Sequence, residues 1–523
     1  MSHRITRRTV LKNSAVGAAA ASFALSARSW GNVVGANEDI RIAVVGFNGR
    51  GNDHINNFSK IKGVRVVALC DADKAILDKG VARLNKGEAT TRPTTRPTAA
   101  PTASPTAKRN GGDEEAVQAK ADERKEIKPV RVKGYQDLRK LLDDKDVDAV
   151  STATPNHWHA LLSIWACQAG KDVYVEKPVS HNVWEGRKIV EAARKYNKIV
   201  QTGTQSRSNG ALREAFAWVR AGNLGKIKVA RGLCYKRRGT IGDVEEEQPI
   251  PKSVNYDLWC GPADKLPLTR QKLHYDWHWV WNTGNGDIGN QGIHEMDKSR
   301  WALGKDHLAP KILSVGGRLG YKDDGETPNT QFSICDYGDA LLIFEVRGLW
   351  SKARGSKMDQ YRGESVGQVI ECEDGYLVDA EAFDNDGKRI RQFKPPEDHD
   401  GNHYANFIKA VRSRKVSDLN ADILEGHLSS ALCHLGNISH RLGQEAEPAE
   451  IESALKSNTA AMETWERFQE HLAANEVCLV MEKATLGAPL TLDPKTERFV
   501  GNDKANEMLT RKYRKGFEVP ETV

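Results

Sequence analysis

Between residues 40 and 203, short β-branched runs alternate with helical patterns, and that alternation leaves few folds open. Residues 40–45 are apolar and end on glycines; a helical stretch follows, then a second apolar run over 64–69. Residues 147–152, 172–175 and 199–201 read as further strands, with helical patterns over 135–142, 160–169 and 183–196 between them. Strands separated by helices pair in parallel and are covered on both faces, so the class is α/β with a doubly wound sheet.

The turn after the first strand is Gly46-Phe47-Asn48-Gly49-Arg50-Gly51. Glycines there let backbone amides at a helix N-terminus approach a pyrophosphate, which makes this a Rossmann-type dinucleotide turn. Asn48 stands where the usual spacing has its second glycine. Asp71 closes the second strand, where a carboxylate accepts hydrogen bonds from ribose hydroxyls and repels a 2′-phosphate, so NAD is expected over NADP.

Three segments break the pattern. Residues 1–36 carry no acid, show Arg7-Arg8 ahead of an Ala-rich run, and read as a twin-arginine export signal, with the twin-arginine machinery as a partner and a periplasmic destination. Residues 87–128 hold Pro93, Pro97, Pro101 and Pro105 followed by a charged stretch, and are expected to form a disordered surface insertion. The net charge of +7 rests largely on the N-terminus and the basic residues near 92–109, so no nucleic acid partner is expected. Eight cysteines lie far apart without Cys-x-x-Cys and are read as mostly buried thiols.

From about residue 230 the chain becomes β-rich, at 229–235, 312–319, 340–346, 368–372 and 376–378, which suggests an α+β domain with an open, mainly antiparallel sheet. Helical patterns return at 403–413 and 424–442, while 491–514 has no interpretable periodicity. The expected division is a Rossmann domain over 38–203, a substrate and oligomerisation domain over 204–445, and a C-terminal extension over 446–523.

Two blocks carry chemistry. The first is Thr154-Pro155-Asn156-His157-Trp158-His159 followed by Glu176-Lys177-Pro178; the second runs from Gly284 through Asp287, Asn290 and His294 to Asp297. Together they resemble the Gfo/Idh/MocA (glucose-fructose oxidoreductase / inositol dehydrogenase) family over roughly residues 40–445. The resemblance implies Lys177 as the group that stabilises alkoxide character at the reacting oxygen, and His294 as the base that takes the hydroxyl proton. Where the family commonly has Asp, this chain has Asn290, expected to orient rather than to charge.

The resemblance also implies a cofactor shell of Gly46, Asn48, Gly49, Arg50, Gly51, Asp71, Thr154, Pro155, Asn156, His159, Glu176, Lys177 and Gln205. Arg207, Asp287 and Trp281 are candidate substrate contacts. The run 274–281 alternates aromatic and polar residues, so Tyr275, Trp277, Trp279 and Trp281 would share one side of an extended segment, as a sugar platform or a buried seam. His274, Asp276 and His278 lie together there, but no further ligand is indicated and no metal is expected.

The implied activity is hydride transfer to or from a secondary hydroxyl of a sugar or polyol, with a possible homo-oligomer. An exported enzyme finds no free NAD pool, so the cofactor is expected to be tightly bound and reset within each cycle. That leaves a glycosidase using transient oxidation, elimination and re-reduction as an alternative, and a non-catalytic sugar-binding protein as a second.

Overall fold

The computed structural model describes residues 39–87, 131–397 and 401–523. The expected export signal, and all of the expected insertion except Gly87, lie outside them.

The first sheet contains β1 (Ile40–Val45), β2 (Val64–Cys70), β3 (Lys133–Tyr135), β4 (Ala149–Thr152), β5 (Asp172–Val175) and β6 (Val200–Thr202), in the order β3-β2-β1-β4-β5-β6 with every pair parallel. The order reverses between β1 and β4, and ligands of such sheets bind at the carboxyl ends of the strands beside that point. Apolar side chains leave β1 on both faces. Ile42 and Val44 join Phe58 of the helix Arg50–Ser59, whereas Ala43 and Val45 join Leu161 of the helix Asn156–Gln168 and Ile189 of the helix Val183–Lys195. The helices start where short polar side chains cap them: Asp73 accepts from the Ala75 amide, and Asn182 from that of Glu185.

The helix His403–Ser413 returns to this sheet. Tyr404, Phe407, Ile408 and Val411 pack with Ile40, Ile42 and Val44, so this helix covers the first domain and does not belong to the second, as the sequence division had it.

The second sheet holds β7 (Ile227–Tyr235), β8 (Lys311–Gly317), β9 (Thr330–Asp336), β10 (Leu341–Arg347), β11 (Val366–Cys372), β12 (Gly375–Val378), β13 (Glu381–Asp384), β14 (Arg389–Gln392), β15 (Gln444–Ala446), β16 (Ala484–Leu486), β17 (Leu490–Asp493) and β18 (Arg498–Phe499). Only β7 and β10 pair in parallel; the remaining ladders are antiparallel. On one face lie the helices Ile293–Leu303 and Ile423–Arg441, with Ile293, Met296 and Leu432 packed on Phe344 and Leu342. On the other, Trp465, Phe468 and Leu472 of the helix Thr459–Ala474 pack on Phe332, Val315 and Ile343. Residues after 445 are thus built into this domain. The last of them belt the first: Phe517 sets its ring edge-on to Trp158 at 5.7 Å, and the Tyr513 hydroxyl donates to Glu185 at 3.0 Å.

No cysteine among the described residues is paired, and six of the eight are buried.

Candidate active site

The glycine turn has the shape a dinucleotide needs. Gly46 sits at φ +72°, with a Cβ at that position falling 2.9 Å from the Thr154 backbone, and a Cβ on Gly51 would fall 2.2 Å from the Gly46 carbonyl oxygen. Both must therefore be glycine for the turn to close on β4. At Gly49 a Cβ would meet nothing within 4 Å, and no side chain caps the helix Arg50–Ser59 that starts there. Its free amides and positive dipole end face open space, which fits an incoming pyrophosphate.

Asp71 lies at the β2 end and accepts from the Asp73 amide at 3.0 Å and the Phe47 amide at 3.3 Å. Burial raises its pKa, and those two amides partly offset the effect. A segment of the second domain crosses just outside it. The Lys74 amide donates to the Ser253 carbonyl at 2.8 Å, the Asn255 amide to that of Ala72 at 2.9 Å, and His274 Nε2 stands 3.3 Å from Asp73. The far wall of the ribose site is therefore supplied from outside the Rossmann domain.

Glu176 is an internal support, buried and held by the exposed Arg50 beside the glycine turn. Glu176 Oε1 accepts from Arg50 Nε at 2.8 Å and Gln205 Nε2 at 3.3 Å, and pairs with His54 Nε2 at 3.1 Å. Burial alone would raise this carboxyl, but Arg50 and His54 outweigh it and hold it well below the usual range. His159 ties two loops together: Nδ1 reaches the Pro178 carbonyl at 2.5 Å and Nε2 the Thr154 carbonyl at 2.8 Å. With both ring nitrogens engaged, it positions the cofactor walls. Asn156 gives its side-chain amide to Asn285 Oδ1 at 2.9 Å. Pro155 directly precedes that helix.

Lys177 and His294 come from different domains and meet electrostatically. Lys177 Nζ donates to the Asn290 backbone carbonyl at 2.8 Å, at the end of the short helix Gly286–Asn290. Burial lowers its pKa, with Glu176 opposing and Arg50 reinforcing the shift. The His294 imidazole is pushed down to about 3, first by burial and then by the neighbouring Lys177. It is a neutral ring at physiological pH. Lys177 has two further N–H groups after the Asn290 bond, enough to reach a substrate oxygen. Asn290 contributes through its main chain, so the missing aspartate charge does not decide where Lys177 points.

Three expected substrate contacts lie elsewhere. Arg207 is buried and binds Asp297 through Nε and Nη2 at 2.9–3.0 Å, with Glu425 at 2.9 Å, so it joins elements internally. Asp287 is held by both Arg238 nitrogens at 2.7 and 2.9 Å. Trp281 lines a separate cavity. The extended aromatic face is also corrected, because Asp276–Trp279 forms a 3-10 turn after Tyr275 at φ +80°. Trp279 is buried, and His278 stacks on Trp277 at 3.6 Å. His274, Asp276 and His278 form no cluster of metal-ligating groups among the described residues.

Two further groups interact electrostatically with Lys177: Glu295, which was not among the sequence candidates, and His278, which was weighed there only as a metal ligand. Glu295 is buried, with Oε1 on Gln291 Nε2 at 3.4 Å and Oε2 unpartnered; burial raises its pKa to about 7. His278 is pushed to about 3 by burial, with Lys177 adding to it. Arg50 and His54 share a helical face at i, i+4, and that spacing was the available signal for the Glu176 cluster.

Two family models match the chain. One, described as "Oxidoreductase family, NAD-binding Rossmann fold", covers residues 107–204; the other, "Oxidoreductase family, C-terminal alpha/beta domain", covers 220–343; both are Gfo/Idh/MocA models. A levoglucosan dehydrogenase of Pseudarthrobacter phenanthrenivorans is 23% identical over 63% of this chain and 82% of its own length. An alpha-N-acetylgalactosaminidase of Shewanella oneidensis is 28% identical over 37% of this chain, which spans only 35% of that relative. Among solved structures, the WlbA dehydrogenase from Chromobacterium violaceum, in complex with NADH and UDP-GlcNAcA, aligns with a TM-score of 0.51 at 19% identity, over 78% of this chain and 95% of that one. Similarity at that level concerns the fold.

Proposed function

We propose that this Gfo/Idh/MocA-type, NAD-binding oxidoreductase transfers hydride to or from a secondary hydroxyl of a sugar or polyol, using Lys177 and His294 together. The observation that carries this reading is geometric: Lys177 Nζ donates to the Asn290 carbonyl at 2.8 Å, which brings the lysine of the first domain to the turn that leads into the helix Ile293–Leu303 carrying His294. NAD, when bound, supplies the hydride acceptor; the residues fit it through the open amides after Gly49 and the Asp71 carboxylate. Lys177 directs its remaining N–H groups to the carbinol oxygen and stabilises negative charge there. His294, neutral and without a side-chain hydrogen-bond partner among the described residues, takes the hydroxyl proton. The likeness to a levoglucosan dehydrogenase supports a carbohydrate substrate.

We further propose export by the twin-arginine route, on the strength of Arg7-Arg8 and the Ala-rich run behind them. Export makes a tightly held cofactor necessary. The test is to denature the purified protein, assay the supernatant for NAD and NADP, and then challenge intact protein with sugars while following nicotinamide absorbance. Absence of dinucleotide, both as purified and after incubation with NAD, defeats the reading.

A second reading keeps the same residues and changes the outcome. The match to an alpha-N-acetylgalactosaminidase favours a cycle of oxidation, elimination, water addition and re-reduction. Release of free sugar from a glycoside with no net change in absorbance selects it over net oxidation.

A further inference from the structure

A cavity of about 340 Å³ lies where the start of the helix Val183–Lys195, the end of the helix Ile423–Arg441 and the C-terminal stretch around Arg511 come together. Small-molecule sites begin at about 300 Å³, so the space holds one ring-sized ligand. Asn285 separates it from the catalytic cleft. Its Oδ1 accepts from Asn156, its Nδ2 donates to the His181 carbonyl at 2.9 Å, and its own carbonyl accepts from Asn437 Nδ2 at 2.9 Å.

The lining carries three cations, Arg441, Arg511 and Lys512, against two acids, Asp264 and Glu507. Arg441 lies with its guanidinium 5.0 Å from the Trp281 ring centre, and no carboxylate among the described residues comes within ion-pair distance of it. Arg511 bonds the Asn282 carbonyl at 2.8 Å and Asn282 Oδ1 at 2.6 Å; its nearest carboxylate, the exposed Asp264, stands 3.9 Å away. Asn437 Oδ1 and His434 Nδ1, on side chains 4% and 3% exposed, have no hydrogen-bond partner. Buried polar atoms are rarely left unpaired, and a guanidinium without a carboxylate partner, as at Arg441, favours an anion beside the partly compensated Arg511.

We propose that this cavity is a second ligand site, selective for a hydroxylated anion of about one sugar ring, its carboxylate or phosphate received by Arg441 and Arg511 and its hydroxyls by the polar side chains that line the cavity. Trp281 gives the ring an apolar face to rest on. This site is separate from the catalytic reading and stands or falls without it.

The test is calorimetric titration of the full-length protein with D-glucuronate, glucose 6-phosphate, inorganic phosphate and glucose. Binding of glucuronate or of glucose 6-phosphate, tighter than that of inorganic phosphate or glucose, supports the site, and whichever sugar anion binds more tightly identifies the charged group. Arg441→Gln, at the solvent-facing rim, is expected to weaken that binding at least about tenfold at an unchanged melting temperature, whereas Lys177→Met leaves it intact. Arg511→Gln gives an independent second loss. The proposal is overturned if neither sugar anion binds, if glucose or inorganic phosphate binds as tightly, if both arginine variants bind as wild type, or if Lys177→Met abolishes binding and so places the ligand in the catalytic cleft.

Discussion

Acid should unfold this protein through histidines that the fold keeps neutral. His157, His403 and His434 are 1%, 3% and 3% exposed, and burial drives their pKa values to about 3, about 4 and about 3. In the unfolded chain each imidazole takes a proton near pH 6.5. The folded pKa lies below the unfolded one, so these groups cost nothing above pH 6.5 and withdraw stability as pH falls below it. Between about pH 6.5 and 4.5 each loses roughly 2 kcal/mol, about 6 kcal/mol for the three. Glu295 runs the other way: its pKa of about 7 means that the folded state binds its proton first, and over the same interval it returns about 2 kcal/mol. His54, His159 and His181, which burial also lowers, reinforce the histidine side, while Asp71 and Glu185 reinforce the carboxyl side. These four groups leave a net loss of about 4 kcal/mol, to which His278 and His294, also held near 3, add in the same direction; that is a large part of a domain's usual stability of about 5–15 kcal/mol. Urea midpoints measured from about pH 7.5 down to 4.5 should fall steeply below 6.5, with a net uptake of at least about two protons on unfolding near pH 5.5. Glu295→Gln should steepen the fall. A midpoint that stays level or rises on acidification, or net proton release, refutes the reasoning.

Lys177→Met is expected to lower kcat by about 10²–10³ while bound dinucleotide is retained, since Nζ has one protein partner, the Asn290 carbonyl; activity within a few-fold of wild type counts against its assigned role. Arg207→Ala strands Asp297 without its main cation and leaves Glu425 to Arg300 alone, and should cost about 3 kcal/mol of stability by urea titration; a rise in KM at unchanged stability would return Arg207 to the substrate. Asp71→Asn removes the charge that excludes a 2′-phosphate and should shift the ratio of NADP to NAD affinity upward by about tenfold or more, measured by fluorescence titration of stripped protein; an unmoved ratio means that another group sets the preference.

What the sequence could and could not disclose follows from how each feature is encoded. The parallel sheet was readable because its strands are apolar runs separated by helical periods, and the mixed sheet was visible in five runs whose ends moved by no more than two residues. The helix His403–Ser413 was found at its observed bounds but assigned to the wrong partner, because an amphipathic stripe states that a face is buried and not against what. The run 274–281 failed for a related reason: alternation implies one face only if the backbone is extended, and the left-handed residue Tyr275 turns it into a helical coil.

At the site, Lys177 and His294 were legible as residue types in a specific context, yet the group that holds Lys177 is a main-chain carbonyl. Any residue at 290 presents one, so the Asn in place of Asp looked more consequential in the sequence than it is for the position of Lys177 in the fold. The same logic explains Arg207, Asp287 and Glu176. A charged residue near a domain seam has the right chemistry for a ligand and for an internal ion pair alike, and only the placement of Asp297, Arg238 and Arg50 assigns these three to the interior. Charges already spent on one another leave the catalytic cleft to a lysine with spare donors and a neutral imidazole. In the proposed function that pair would serve a hydride shift in either direction, so whether the cycle ended in net oxidation or in hydrolysis would be set by how far the substrate's leaving group can depart, not by these two side chains.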